Sequence, residues 1–374
     1  MSTPTRCNAA QPLELTSPED DRPFLGAASP TTPESPGRTP ARGIGEDARM
    51  SLVTNERARA ALEVLERLGP EGPVRTPLLP VPESGRERPL LLKPESLQPT
   101  GAFKIRGALH AAAVLDERVR ARGLVAYSSG NHARAVAHAG KVFGVPATVV
   151  VPHTAPAAKV AAARSLGAEI VPVEVSERES RAEEIAESRG ASLIPPFDAP
   201  AVIAGQATVG LEIAEDVDAF GLSEVTVLVP ISGGGLISGV AVGLARCRAR
   251  VRVVGVEPEL AADTREGFRA GERRDWPVEA RTRTRADGLT AQPSELTFAH
   301  IRELVDDVVT VSEAEIGEAV GFLAESCRLV AEPSGAVTTA AHRHRTRELG
   351  AAPTVAVVSG GNVDRAELLS SVAG

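Results

Sequence analysis

The sequence predicts an α/β protein with two wound units, each built on its own mostly parallel sheet. Short valine-rich runs alternate with amphipathic stretches along most of the chain, the rhythm of βαβ units. Several of those runs stop at Ser, Gly and Asn and pass straight into a helical pattern. At 374 residues there is chain enough for two domains and a tail.

Residues 1–48 are rich in Pro, Ser, Thr and Gly and poor in large apolar side chains, so burial cannot offset the entropy of ordering them. A disordered extension is expected there. Beyond it, Ala58, Ala61, Leu62, Leu65 and Leu68 recur at helical spacing until Gly69-Pro70 ends the run. LVAYSS (124–129), ATVVVP (147–152) and AEIVPVEV (168–175) then read as strands. Residues 131–143, 157–167 and 176–189 read as the helices that follow them, the last strongly charged. After a long middle helix come TVLVP (226–230), a glycine loop, a helix at 236–248, the strand VRVVGVE (251–257) and finally TVAVVS (354–359). The expected division is a larger domain made of 49–120 and 195–374 and a smaller one at 121–194. No repeat period is present.

Lys plus Arg is 41 against 49 for Asp plus Glu, a net charge of −8 and the wrong sign for a nucleic-acid partner. The most apolar stretches are strand-length, far short of the roughly 20 residues that cross a bilayer, and the start lacks a secretory pattern. No membrane association is expected. Cys7, Cys247 and Cys327 lie far apart, with no CxxC pair or histidine at ligand spacing, which argues against a zinc site or disulfide framework and fits a reducing cytoplasm. The basic charge is almost all arginine: the lysines are Lys93, Lys104, Lys141 and Lys159.

Four segments carry chemistry. In SLQPTGAFKIRGA (96–108), Lys104 stands at a predicted helix start between Phe103 and Ile105. Desolvation there would lower its amine pKa and suit it to Schiff-base chemistry, although an amphipathic helix also places lysines so. In SSGNHARAVAHAG (128–140), a strand ends in Ser128, Ser129, Gly130 and Asn131 and a helix begins at once. The N–H groups of that start could take a carboxylate, or the turn could be a simple cap. In VPISGGGLISG (229–239), three adjacent glycines could cradle a phosphate monoester or merely tighten a turn. The segment has neither the Lys-Ser/Thr end of a nucleotide P-loop nor the order of a dinucleotide fingerprint. In VAVVSGGNVD (355–364), Ser359 at a strand end could hydrogen-bond a heterocyclic nitrogen. An amine for a carbonyl, a carboxylate site, a phosphate cradle and a hydroxyl for a ring nitrogen are together what pyridoxal 5′-phosphate requires.

In this motif order the sequence, over roughly residues 50–370, resembles the threonine/serine dehydratase and serine racemase group of fold-type II pyridoxal-phosphate enzymes, whose fold is that of the tryptophan synthase β chain. The resemblance implies that Lys104, flanked by Phe103, is the Schiff-base lysine. It implies that Asn131 hydrogen-bonds the cofactor's 3′-oxygen, that Ser232, Gly233, Gly234, Gly235 and Leu236 wrap its phosphate, and that Ser359 faces its pyridine nitrogen. The substrate carboxylate would be held by Ser128, Ser129, Gly130, Asn131 and His132. VIAGQATVGLEI (202–213), the stretch 285–316 and AEPSGAV (331–337) match further and favour a dehydratase over cysteine synthase. Glu257, the carbonyl of Ala261 and Asp263 fall where some relatives bind a divalent cation, and hard oxygen ligands suit Mg²⁺ or Ca²⁺; a solvated acidic turn is the plain alternative.

The expected activity is β-elimination from L-threonine or L-serine to a 2-oxo acid and ammonia, by a cytoplasmic homodimer acting on a small-molecule substrate. Racemisation of serine or hydroxyaspartate, with Ser129 as second acid/base, is the nearest alternative. A pyridoxal-phosphate-binding regulator without turnover is another. Ala102, Arg134, Ala207 and Ser232 depart from the residues commoner in the family, and Arg134 and Ala207 bear on the substrate. The chain ends soon after Asn362, so feedback by isoleucine through a regulatory domain is not expected. Trp276 reads as peripheral packing, and His342 and His344 as residues of a surface helix.

Overall fold

The computed structural model describes residues 52–82 and 88–372; the expected extension at 1–48 lies outside the described residues. Ten strands are described: β1 (Leu79–Val81), β2 (Leu90–Pro94), β3 (Leu124–Tyr127), β4 (Ala147–Pro152), β5 (Glu169–Val173), β6 (Ser192–Leu193), β7 (Glu224–Pro230), β8 (Arg250–Pro258), β9 (Asp307–Val311) and β10 (Thr354–Val358). They form two sheets with helices between successive strands from β2 onward, so the fold is the two-sheet α/β arrangement expected.

The smaller sheet has the order β5-β4-β3-β6 and is parallel throughout. The larger has the order β1-β2-β10-β7-β8-β9 and is parallel except for the edge strand β1. Alternation along the central strands sorts their side chains to two faces. Leu228, Ala356 and Val358 face one cluster, with Ile316, Val320 and Val337 from the helices Glu313–Glu325 and Pro333–His344. Val227, Val229, Val355 and Val357 face another, with Val209, Ile213, Ile237 and Val240 from the helices Pro200–Ala219 and Gly235–Leu244. Burying each such valine, leucine or isoleucine side chain contributes about 1.5–3 kcal/mol.

The helix Lys104–Ala113 connects the two sheets. Its Ile105, Leu109 and Ala112 pack with Leu124, Ala126 and Val136 of the smaller sheet's layer, and with Val202 of the long middle helix. Its first turn is anchored by Arg106, fully buried between the carboxylates of Glu95 (2.8 and 2.9 Å) and Glu212 (2.6 and 2.9 Å). Lys93 Nζ donates to Glu212 at 2.6 Å, so two cations balance two carboxylates. Burial alone would raise the Glu95 carboxyl, but the Arg106 guanidinium and Lys93 hold it below the ordinary range.

Several boundaries differ from expectation. The charged helix starts at Arg178, after a 3-10 turn at Val175–Glu177, and the helix after the glycine loop stops at Leu244 rather than near 248. Beyond that point the alternating arginines turn outward and Cys247 N closes a turn onto Leu244 O. His342 does not lie on the surface: the helix Pro333–His344 packs in the middle of the larger core and His342 is wholly buried. His344, at its end, is part-exposed with Nε2 3.3 Å from Glu318. Trp276 is half-buried and donates from Nε1 to Glu266 at 2.8 Å, away from the site below. No helix among the described residues is long and apolar enough to cross a membrane.

Candidate active site

The carboxyl ends of β3, β7 and β10 open on one cavity of about 1000 Å³, the place where parallel sheets bind ligands. Its wall includes Phe103, Lys104, the loop from Ser128 to His132, the loop from Ser232 to Leu236, and Ser359. Four segments far apart in sequence thus meet around one space. Glu257, Ala261 and Asp263 lie outside it.

Lys104 is the first residue of its helix, held there because Phe103 N donates to Ser359 O at 3.1 Å and Ala102 pairs with Gly360. Its Nζ lies 5.1 Å from the centre of the Phe103 ring and donates to the carbonyl of Pro196 at 2.7 Å. Burial without a compensating carboxylate brings its pKa down to about 8, from 10.5 for an ordinary lysine. About a tenth of the amine is then neutral at pH 7, several hundred-fold more than for a solvated lysine.

The loop from Ser128 to His132 runs from the end of β3 into the helix Asn131–Phe143, whose first-turn N–H groups have no partner within the helix. Ser128 Oγ accepts from Gly130 N at 3.2 Å, which curls the loop around this start. His132 turns inward, with Nε2 2.8 Å from the carbonyl of Ile194. Because a carbonyl only accepts, Nε2 carries the proton. Burial and the nearby Lys104 push the ring's pKa down to about 3, so the imidazole is neutral and its visible task is to hold the loop.

The glycine loop has a steric logic of its own. A Cβ on Gly233 would sit 2.2 Å from the Phe197 ring, and Gly234, at φ +84°, has Thr297 at 2.8 Å where its Cβ would be. Only glycines let this turn tuck against Phe197 and Thr297 while the turn and the start of the helix Gly235–Leu244 line the cavity. Ser232 Oγ is engaged with Ala291, accepting from its N–H at 2.9 Å and lying 3.0 Å from its carbonyl. Ser359 is buried, and its Oγ makes only a long contact, 3.5 Å, to the carbonyl of Ser334, which leaves its hydroxyl available to a ring nitrogen.

Residues not singled out from sequence complete the wall. Glu332 is buried, accepts from Asn131 Nδ2 at 2.6 Å, and is raised to about 7 chiefly by desolvation. Asn362 donates to Asn131 Oδ1 at 2.7 Å. Of the four departures, Arg134 lines the cavity, whereas Ala207 is buried in the middle helix, where its backbone would collide with a Cβ on Gly239 or Gly243. Position 207 therefore bears on helix packing rather than on the substrate.

Glu257 and Asp263 form a separate buried pair. Glu257 accepts from the N–H groups of Thr264 (3.1 Å) and Arg265 (2.7 Å), and burial beside Asp263 raises it to about 8. Asp263, raised to about 6 chiefly by burial, keeps Oδ2 buried without a hydrogen-bond partner. Oxygen donors with an orphaned carboxylate atom fit a hard divalent cation.

Residues 70–360 match the pyridoxal-phosphate dependent enzyme family. The chain is 44% identical over 280 residues to the L-threonine ammonia-lyase of Thermotoga maritima, covering 74% of this chain and 67% of that protein. It is 40% identical over 289 residues to the L-threo-3-hydroxyaspartate ammonia-lyase of Saccharomyces cerevisiae, covering 76% and 86%. The structure of maize serine racemase superposes with a TM-score of 0.77 at 35% identity, over 86% of this chain and 97% of that one. The donor set described above fits the cofactor of these proteins, and the chain belongs to the fold-type II pyridoxal-phosphate dependent enzyme family.

Proposed function

We propose that the protein is an ammonia-lyase that converts a β-hydroxy α-amino acid, L-threonine or L-serine, to a 2-oxo acid and ammonia. The observation that carries this reading is Lys104: a desolvated amine with a pKa of about 8, set in one cavity with two helix starts. Similarity to an L-threonine ammonia-lyase at 44% identity supports the lyase reading over other chemistry of the family.

When bound, pyridoxal phosphate supplies a carbonyl that takes an amine and a ring that withdraws electrons from the substrate's Cα. Ser232 to Leu236 would hold its phosphate through backbone N–H groups, with Asn131 at its 3′-oxygen. The substrate carboxylate would lie on the loop from Ser128 to His132, which fixes the amino acid with its α-hydrogen toward Lys104. Lys104 Nζ, neutral once the substrate amine has taken its place, removes that proton. Ser359 Oγ would be a neutral partner for the ring nitrogen, one that does not force a proton onto it, and the β-hydroxyl would leave with one proton as water. The enamine released is hydrolysed to the 2-oxo acid and ammonia. His132, neutral at working pH, holds the loop and supplies no proton. Glu257, the carbonyl of Ala261 and Asp263 would hold a divalent cation that neutralises their paired charge, a structural rather than a chemical role.

The test is a substrate panel. Protein loaded with pyridoxal phosphate is given L-threonine, L-serine and L-threo-3-hydroxyaspartate, and 2-oxo acid, ammonia and D-isomers are measured in the same reactions. Equimolar 2-oxo acid and ammonia from threonine or serine is the expected result. D-serine formed faster than pyruvate would make the protein a racemase, with Ser129 in the cavity wall as its second acid/base. No turnover of any amino acid would leave a cofactor-binding regulator.

A further inference from the structure

Beside Lys104, four side chains of the cavity wall form a single line of hydrogen bonds. Arg134 Nη1 donates to Asn362 Oδ1. Asn362 Nδ2 donates to the carbonyl of Thr100 at 2.9 Å and to Asn131 Oδ1 at 2.7 Å. Asn131 Nδ2 in turn donates to Glu332 Oε1 at 2.6 Å. The line has a sense, and chemistry fixes it. A guanidinium has donors only, so the Asn362 atom it meets must be the oxygen. A backbone carbonyl has acceptors only, so the atom turned to Thr100 must be the nitrogen. Asn131 then has to offer its oxygen to Asn362, which leaves its NH₂ on the far side. A glutamine at 134 would leave the sense less defined, since its amide both donates and accepts.

The backbone gives this line no room to rearrange. Gly101, at φ +76°, carries no Cβ where Asn362 Oδ1 would lie 2.3 Å away, and a Cβ on Gly360 would meet Glu332 Oε1 at 2.1 Å. Glu332 is buried and sits near neutrality in pKa, so its own proton could otherwise invert the joint with Asn131.

We propose that Arg134 is a positioning residue that, through Asn362, holds the Asn131 amide with its oxygen on Asn362 and its NH₂ on the opposite side, so that the N–H not given to Glu332 meets the cofactor's 3′-oxygen and favours its ionised form. This rests on the placement of Asn131 beside that oxygen in the reading above. The substrate is not involved, so the effect belongs to the resting holoenzyme and is read there.

The test uses the ratio of violet to near-ultraviolet absorbance of the bound cofactor, which reports the ionised against the protonated 3′-oxygen, at one pH and with cofactor content and melting temperature measured alongside. Asn362→Asp is nearly isosteric but cannot donate, so Asn131 turns its NH₂ to the new carboxylate and its oxygen to the cofactor; the ratio falls about tenfold or more. Arg134→Met, which keeps the stem and loses the donors, lowers it about fivefold. Arg134→Lys keeps a donor-only group and returns it to within about a factor of two of wild type. A merely structural Arg134 would shift the melting temperature and leave the ratio alone. Loaded Asn362→Asp or Arg134→Met with the wild-type ratio, or Arg134→Lys falling as far as Arg134→Met, overturns the relay while the cofactor reading stands. A wild type with no violet band, or a band that survives Lys104→Ala, overturns both.

Discussion

Arg106→Met tests whether the floor under the helix Lys104–Ala113 is held by charge balance. The methionine approximates the volume of the arginine stem, so the change is chiefly electrical. In the wild type, the guanidinium lies within 2.6–2.9 Å of the Glu95 and Glu212 carboxylates, and both acids are buried. Without it, Lys93 alone faces two carboxylates, and the buried group passes from neutral to one net negative charge. Removing one partner of a buried pair costs about 3–5 kcal/mol, because the remaining charge has nowhere to be solvated. With an unfolding entropy of about 2.1 cal/mol/K per residue over the described part of the chain, that lowers Tm by about 5–8 °C. Urea unfolding of the wild type, Arg106→Met, Glu95→Gln and the double variant Arg106→Met/Glu95→Gln, all with saturating pyridoxal phosphate, measures it. The double variant restores balance, one lysine with one carboxylate, and is expected to recover about 1–2 kcal/mol of the loss. A single variant within about 1 kcal/mol of wild type, or a double variant at the sum of its two single losses, would refute the reasoning.

The Lys104 pKa of about 8 predicts the pH dependence of cofactor loading into the apoprotein. Only the neutral amine attacks a carbonyl, so the loading rate is expected to rise about tenfold per unit below pH 8 and level off above it; a flat profile from pH 6 to 9 would contradict the assignment. For the acidic pair, adding Mg²⁺ is expected to raise Tm of the wild type by mass action and to leave Asp263→Ala unmoved. An equal increment in both proteins, or none in either, places no cation on Glu257 and Asp263.

The strands that sequence pattern found were those whose valine content and flanking turns agree with their place in a parallel sheet, such as β4, β7, β8 and β10. β2, next to the centre of the larger sheet, is not legible as a strand in the sequence. It is the run Leu90–Pro94, three leucines, a lysine and a proline, whose leucines favour a helix in isolation. Its strand form comes from tertiary pairing with β10, with Lys93 opposite Val357, and from burial of that lysine on Glu212. The site was legible where chemistry is local to a segment: a lysine at a helix start, glycines at a turn. It was opaque where function is a contact between segments. Glu332 lies inside a segment that matches the family, but an acidic residue just before a helix is ordinary capping by sequence alone. Only the fold brings it to Asn131. Asn362 likewise reads as one more turn residue until Gly101 is seen to make room for it.

The central claim is that Lys104 carries the cofactor, and chemical trapping tests it most directly. Borohydride reduction of the loaded protein converts the lysine–cofactor bond to a stable amine, and peptide mass spectrometry then locates the pyridoxyl phosphate among the four lysines. One equivalent on Lys104, absent from Lys104→Ala, is the expected result. Label on Lys93, Lys141 or Lys159 instead, or a fully loaded protein with no lysine labelled, would contradict the account.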